Sequence, residues 1–370
     1  MSTRPVRVLL DSEIFGLQTH GGISRYFVAL LDHLPRHGVA ARLFAPLTFN
    51  QHLRTAGTTG FLGVRAPLPL RNRLTANLER RLLAAADVAA SRLTSFDLLH
   101  GTYYGRQLRT EVPRLVTVYD MIPERFPGLF PRGNPHAGKR EACASAALVV
   151  AISEQSRRDL LALYPEIRRP IEVIHLAVDP DFFRARARGE EDGTVLFVGQ
   201  RQGYKNFSIF AEAASRLLAE RRELRVLCVG GGPLRPEESA PFVARGCADR
   251  VCHRTASDED LPSIYRRAVA FVFPSFYEGF GLPILEAFAC GCPVVLSYAS
   301  CFPEVAAEAG EFFDPHDPEA LLEALRRVTG DPGRREELRR LGERRLTAFS
   351  WNRTAELTAA AYRRVLDLTS

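Results

Sequence analysis

Two glutamates, Glu278 and Glu286, stand in the otherwise apolar stretch "PSFYEGFGLPILEAFACGCPVV". Acidic side chains are almost never fully buried without a partner, so carboxylates among Phe, Leu and Ile need a reason. Pro283 suits the first position of a helix. Gly279 and Gly281 let backbone approach a ligand with no Cβ in the way. The N–H groups of Gly281, Leu282 and Ile284 would then point out of the helix N-terminus, where the dipole favours a phosphate. At about 1.5 Å of rise per residue the two carboxylates would bracket such a phosphate group some ~10 Å apart. One would face what lies beyond the phosphates, and the other the nucleoside, where a carboxylate can accept from ribose hydroxyls. The plainer alternative is one exposed loop residue and one solvent-facing helix residue.

Phosphates also need cations. "FVGQRQGYKNF" places Arg201 and Lys205 just after a predicted strand, at the carboxyl edge where open α/β sheets bind ligands. Arg supplies a bidentate fork and Lys a point charge. Lys139 and Lys205 are the only lysines in a chain otherwise basic through arginine, which marks Lys205 as a place where a compact ammonium is wanted.

The elements that must position these groups follow a repeating pattern. "VRVLLDSEIF" reads as a strand and "THGGISRYFVALLDHLPRHG" as a glycine turn feeding a helix. "ARLFAPL", "DLLHGTYY", "RLVTVYD", "ALVVAIS" and "IEVIHLAVDP" follow as short strands. The polar "DPDFFRARARGEEDG" is the best linker candidate. After it, "TVLFVG", "LRVLCVGGGP", "RVCHRT", "AVAFVFPS" and "CPVVLS" alternate with helices. Such alternation predicts parallel βαβ units, hence an α/β fold in two halves. The expected domains are 1–184 and 185–350, with a final helix over 351–370 returning to the first.

The 370 residues, 46% hydrophobic and 25% charged with net charge +6, are those of a soluble globular chain. The first residues carry too short an apolar run for a secretory signal, so the expectation is a cytoplasmic protein. The basic excess fits polyanionic ligands or an acidic membrane surface, and no zinc-finger or RNP motif points to nucleic acid. Seven scattered cysteines lack metal-site spacing and read as structural thiols, with no metal implied. In "RNRLTANLERRLLAAADVAASRL", Leu74, Leu78, Leu82, Ala85, Ala89 and Leu93 share one helical stripe, with Arg71, Arg73, Arg80, Arg81 and Arg92 largely off it. The stripe either packs as an ordinary core face or lets a basic amphipathic helix lie on an anionic membrane.

On these motifs the sequence resembles the retaining nucleotide-sugar glycosyltransferases of family 4, which have the GT-B architecture: two facing Rossmann-like domains with a cleft between them. "EGFGLPILEAFACGCPVV" matches their E-x7-E segment, "FVGQRQGYKNF" their phosphate-binding loop and "THGGISRYF" their first glycine loop. "VVAISEQSRRDLL" and "PEVAAEAGEFFDPHDPEAL" also fit. The resemblance implies that Glu286 binds the ribose and Glu278 contacts the donor sugar. Arg201 and Lys205 would neutralise the diphosphate, helped by backbone at Phe280, Gly281 and Leu282 and by Gly22. Arg254 and Thr255 would lie near the base.

Many members carry His-Asp where this chain has Tyr119-Asp120. Asp120 is carried over as a catalytic candidate and Tyr119 is left open. His100, Tyr103 and Tyr104 of "HGTYYG" end another strand and could face the acceptor. The implied reaction is hexosyl transfer with retained configuration and no metal cofactor, onto a hydroxyl of a glycan or lipid-linked oligosaccharide. The wording most resembles mannosyltransferases of surface-polysaccharide assembly, hence GDP-mannose. A nucleotide-sugar epimerase or phosphorylase, or a non-catalytic nucleotide-sugar-binding partner, are the alternatives. A dehydrogenase is disfavoured because Arg235 stands where "VGGGPLR" would need its third glycine.

Overall fold

In a computed structural model, which describes residues 4–55, 60–67, 70–105, 108, 110–187 and 189–369, the chain divides into two compact units. One comprises Met1–Leu176 with Trp351–Ser370, the other Ala177–Ser350. The first holds strands β1 (Val6–Leu10), β2 (Val39–Thr48), β3 (Phe61–Arg65), β4 (Leu98–Gly101), β5 (Arg114–Val118), β6 (Leu148–Ala151) and β7 (Ile171–Val173). They form a parallel sheet of order β3-β2-β1-β4-β5-β6-β7. The second holds β8 (Thr194–Val198), β9 (Arg225–Val229), β10 (Val251–Arg254), β11 (Ala268–Phe273), β12 (Val294–Ser297) and β13 (Gly310–Phe313), ordered β10-β9-β8-β11-β12-β13. Among the described residues every strand pairing is parallel.

Parallel strands covered by helices on both faces lose their polar alternation. Accordingly β5, β11 and β12 are buried at every residue, whereas the edge strand β3 is largely exposed. In each sheet the first strand lies inside. Val8 pairs with Ala41 of β2 on one side and Leu98 of β4 on the other, and the register of β11 puts Phe271 between Leu196 of β8 and Val294 of β12. The strand order therefore reverses beside β1 and beside β8, and such switch points open a crevice at the carboxyl ends of the strands.

The stretch expected as a linker is instead a helix, Pro180–Arg186. Asp179 caps it by accepting from the backbone of Asp181 and Phe182, Pro180 starts it, and Phe183 is buried. The boundary between units accordingly falls at 176/177 and not at 184/185. An aspartate–proline pair reads as a turn, yet it is equally a helix start. The last helix, Trp351–Thr369, packs in the first unit, where Thr354 Oγ1 donates to the His175 carbonyl at 2.8 Å.

The helix Arg73–Leu93 also departs from its plainer expectation. Its buried face is Glu79, Leu83, Asp87 and Ala90, while Leu74, Leu78, Leu82 and Leu93 are exposed. Among the described residues no helix is long and apolar enough to cross a membrane. All seven cysteines are free and six are buried; burial pushes Cys143, Cys228 and Cys290 up to about 12.

Candidate active site

The second unit concentrates its polar loops beside the reversal at β8. After β8 the chain makes a single turn, Gly203–Lys205, and Asn206 adopts φ 53° before the helix Phe207–Glu220. The Asn206 side chain donates to the Pro315 carbonyl at 2.8 Å, and the Tyr204 carbonyl accepts from Phe276 N at 2.8 Å, tying the loops after β8, β11 and β13 together. Lys205 Nζ consequently reaches Glu278 Oε1 at 2.6 Å, and Ser275 Oγ donates to the same oxygen at 2.7 Å. The ammonium lies 5.2 Å from the Tyr204 and Phe273 ring centroids, within cation–π range.

The loop holding Glu278 is pinned from below. Ser300 Oγ accepts from Glu278 N and donates to its carbonyl, and the Cys301 thiol donates to the Phe280 carbonyl at 3.1 Å. Gly281 takes φ +93° and caps the helix Leu282–Ala289. The Ile284 N–H is spent on the Gly281 carbonyl at 2.9 Å, a correction to the three free amides expected. That leaves the Gly281 and Leu282 amides at the helix entrance. Phe280 is buried against Phe349, ring centroids 5.8 Å apart. Glu286 is buried one turn in, with Tyr265 OH 3.3 Å from Oε2. Burial, reinforced by the neighbouring Glu286 carboxylate, pushes the Tyr265 hydroxyl well up, so it stays a donor. At the edge strand β10, Arg254 and Thr255 are exposed, and Arg254 lies 3.6 Å from Asp260.

Arg201 does not join this group. Its side chain is 2% exposed and bonds Glu238 Oε2 at 3.0 Å. Nη1 donates to the Gly230 carbonyl at 2.6 Å, and Nη2 to the carbonyls of Gly231, Gly232 and Pro233 at 3.2, 2.7 and 2.9 Å. Gly230, Gly231 and Gly232 all have positive φ, which turns their carbonyls onto one guanidinium. The expected phosphate ligand is thus the strut of the glycine loop after β9. Glu238, which burial would push up, is held below the usual carboxylate range by the Arg235 backbone and by Arg201 and Arg235.

In the first unit, Asp120 follows β5 and accepts from Ile122 N at 2.9 Å, with His136 Nδ1 3.8 Å from the same oxygen. Beneath it the buried Lys139 donates to the Asp120 carbonyl at 2.7 Å and to Glu124 at 2.9 Å. Burial raises the Glu124 carboxyl, but Lys139, Asn134 and Tyr164 outweigh it and hold the group low. Tyr103 is half-buried, its ring edge-on to His136 at 5.4 Å.

The other strand-end candidates face inward. Tyr104 is buried and accepts from Tyr119 N, while the Tyr119 hydroxyl donates to the Thr102 carbonyl at 2.9 Å and is itself buried. His100 is wholly buried, with Nδ1 2.7 Å from Tyr362 OH and Nε2 2.9 Å from Thr117 Oγ1. Burial, then Arg114, depress it to about 3, so the ring is neutral. His100 and Tyr104 are core residues and not acceptor contacts. Gly22 begins the helix Gly22–His33. Sequence reasoning missed His136, a lone histidine in a loop, and Lys139, whose rarity in an arginine-rich chain was the available signal.

Two Rossmann-like parallel sheets with carboxylates, a lysine and a helix entrance gathered at one switch point are the layout of the GT-B glycosyltransferases. Two family profiles match in tandem: Glycosyltransferase Family 4 over residues 20–182 and Glycosyl transferases group 1 over 178–345. The chain is 30% identical, across 96% of its length and 88% of the relative's, to D-inositol 3-phosphate glycosyltransferase of Acidothermus cellulolyticus. It is 32% identical to O-antigen chain mannosyltransferase B of Escherichia coli over 60% of this chain and 62% of that one. Sucrose-phosphate synthase from Thermosynechococcus elongatus shares the fold with TM-score 0.74 at 20% identity, covering 98% of this chain and 100% of that one. The chain belongs to glycosyltransferase family 4.

Proposed function

We propose that this transferase moves a hexosyl group, mannosyl from GDP-mannose in the first instance, onto a hydroxyl of a glycan or lipid-linked acceptor, with the anomeric configuration retained. The observation that carries the reading is the Lys205–Glu278 pair set beside the entrance of the helix bearing Glu286, at the switch point of the second sheet. As the bond from C1 to the β-phosphate oxygen breaks, negative charge develops on the departing diphosphate. Lys205 and the Gly281 and Leu282 amides supply fixed positive charge there, a preorganised electrostatic contribution that needs no metal. The new bond joins C1 to the acceptor oxygen on the same face, and the acceptor proton passes to the departing phosphate. Glu286 takes the ribose hydroxyls, its other oxygen steadied by Tyr265. Asp120 and Tyr103 serve the acceptor side of the reaction. With Arg201 committed to the glycine loop, the ammonium of Lys205 is the cation of the reading.

The mannosyl choice and a role in surface-polysaccharide assembly draw support from the name of the O-antigen chain mannosyltransferase relative. The test is a thermal-shift panel with GDP, UDP, ADP and dTDP on the wild type and Glu286→Ala. A ligand at a hundredfold excess over Kd stabilises the fold by about 2.7 kcal/mol. A shift with GDP that Glu286→Ala abolishes supports the reading, and a shift with another nucleotide replaces GDP-mannose. No shift with any nucleotide, or one indifferent to the substitution, removes Glu286 from the site.

A further inference from the structure

We infer that the outward face of the helix Arg73–Leu93 is a docking surface for an anionic lipid bilayer. At 100° per residue, Leu74, Leu78, Leu82 and Leu93 fall within about 100° of each other around the helix. They are 80%, 50%, 37% and 83% exposed, a leucine ridge that none of the described residues of its own unit covers. Arg73 and Arg81 line one flank of this ridge, and both are exposed. The helix has two acidic residues, and the fold takes both inward. Glu79 Oε1 accepts from the backbone of Phe49 at 2.7 Å, and Asp87 accepts from Ser12 N and, at 2.9 Å, from Ser12 Oγ. Each carboxylate satisfies a backbone donor that burial would otherwise strand. The exposed charge left on the helix is therefore entirely cationic, and among the described residues neither Arg73 nor Arg81 meets an acidic partner.

That combination matches a membrane surface on two counts. Leucine side chains enter the headgroup–acyl boundary while guanidinium groups reach the phosphates, each cation adding to the attraction of an anionic leaflet. The helix has 21 residues but is not apolar enough to cross, so it lies in the interface plane. The inference does not rest on the donor or the reaction, and its test reads no catalysis.

The experiment is vesicle flotation of the full chain with phosphatidylglycerol-containing and with pure phosphatidylcholine vesicles, at low and high salt, beside sedimentation of the free protein. The variants are Leu74→Ser/Leu78→Ser/Leu82→Ser and Arg73→Gln/Arg81→Gln. All five side chains are exposed, so both variants should keep the wild-type unfolding midpoint. The expected result is flotation with the anionic vesicles alone, weakened by salt and by about tenfold or more in each variant. Absence of flotation, flotation that either variant leaves unchanged, or self-association through the leucines in place of lipid binding would each overturn it.

Discussion

Lys205 Nζ stands 2.6 Å from Glu278 Oε1, although 73 residues separate the two in sequence. Both side chains are mostly buried, 15% and 12% exposed. They are delivered by the loops after β8 and β11, neighbouring strands at the reversal of the sheet order. The chain's other lysine, Lys139, is paired in the same manner with Glu124 in the first unit. In a chain rich in arginine, lysine is kept where a compact ammonium meets a carboxylate in a confined space.

The two members of the 205–278 pair should behave as one unit. Lys205→Ala is expected to lower turnover about 10²–10³-fold, the usual loss of a preorganised electrostatic contact, with little change in nucleoside affinity. Combining it with Glu278→Gln should give a coupling energy of about 1–3 kcal/mol in a double-mutant cycle on kcat/KM. Strict additivity would show that the contact is not maintained in the working enzyme.

Arg201 should report on stability before it reports on phosphate. Removing its guanidinium leaves Glu238 buried beside the unsatisfied carbonyls of the 230–233 loop, so Arg201→Ala should cost about 3–5 kcal/mol. Arg201→Lys should rescue little, because an ammonium cannot replace the fork that bonds Glu238 and four carbonyls. Urea unfolding monitors both. An Arg201→Ala variant of unchanged stability with abolished diphosphate binding would return this residue to the ligand.

His100 predicts a pH dependence with a definite sign. Its folded pKa is depressed from 6.5 to about 3, first by burial and then by Arg114. Between those values the unfolded chain binds a proton that the fold refuses. The contribution is therefore intact above about 6.5 and is lost progressively as the pH falls toward about 3. In urea titrations across that window the wild type should lose up to about 1.4 kcal/mol per pH unit more steeply than His100→Gln. Parallel slopes would mean that the ring is not neutral in the fold.

Much of the architecture was legible beforehand because it is written in local pattern. Apolar runs separated by glycine turns announced parallel βαβ units, and the Glu278–Glu286 segment with its glycines and Pro283 announced a capped helix N-terminus. Both signals are short-range consequences of backbone geometry. The helix over 180–186 escaped because its Asp179–Pro180 start is chemically indistinguishable from a turn until Phe183 finds a core. His136 escaped because nothing local distinguishes it; its neighbours Asp120 and Tyr103 arrive from other loops.

The amino-acid order was thus sufficient for the kind of fold, the family, and the loops that carry the candidate site. Tertiary structure alone decided which charges gather at the candidate site and which serve as struts. Arg201 and Lys205 are four residues apart in one motif, yet one turns in to the carbonyls after β9 and the other crosses to Glu278. It also decided which face of the helix Arg73–Leu93 meets the sheet. Periodicity groups residues on a face, but the energy of satisfying buried backbone donors with Glu79 and Asp87 chose the acidic face for the interior and left the leucines outside.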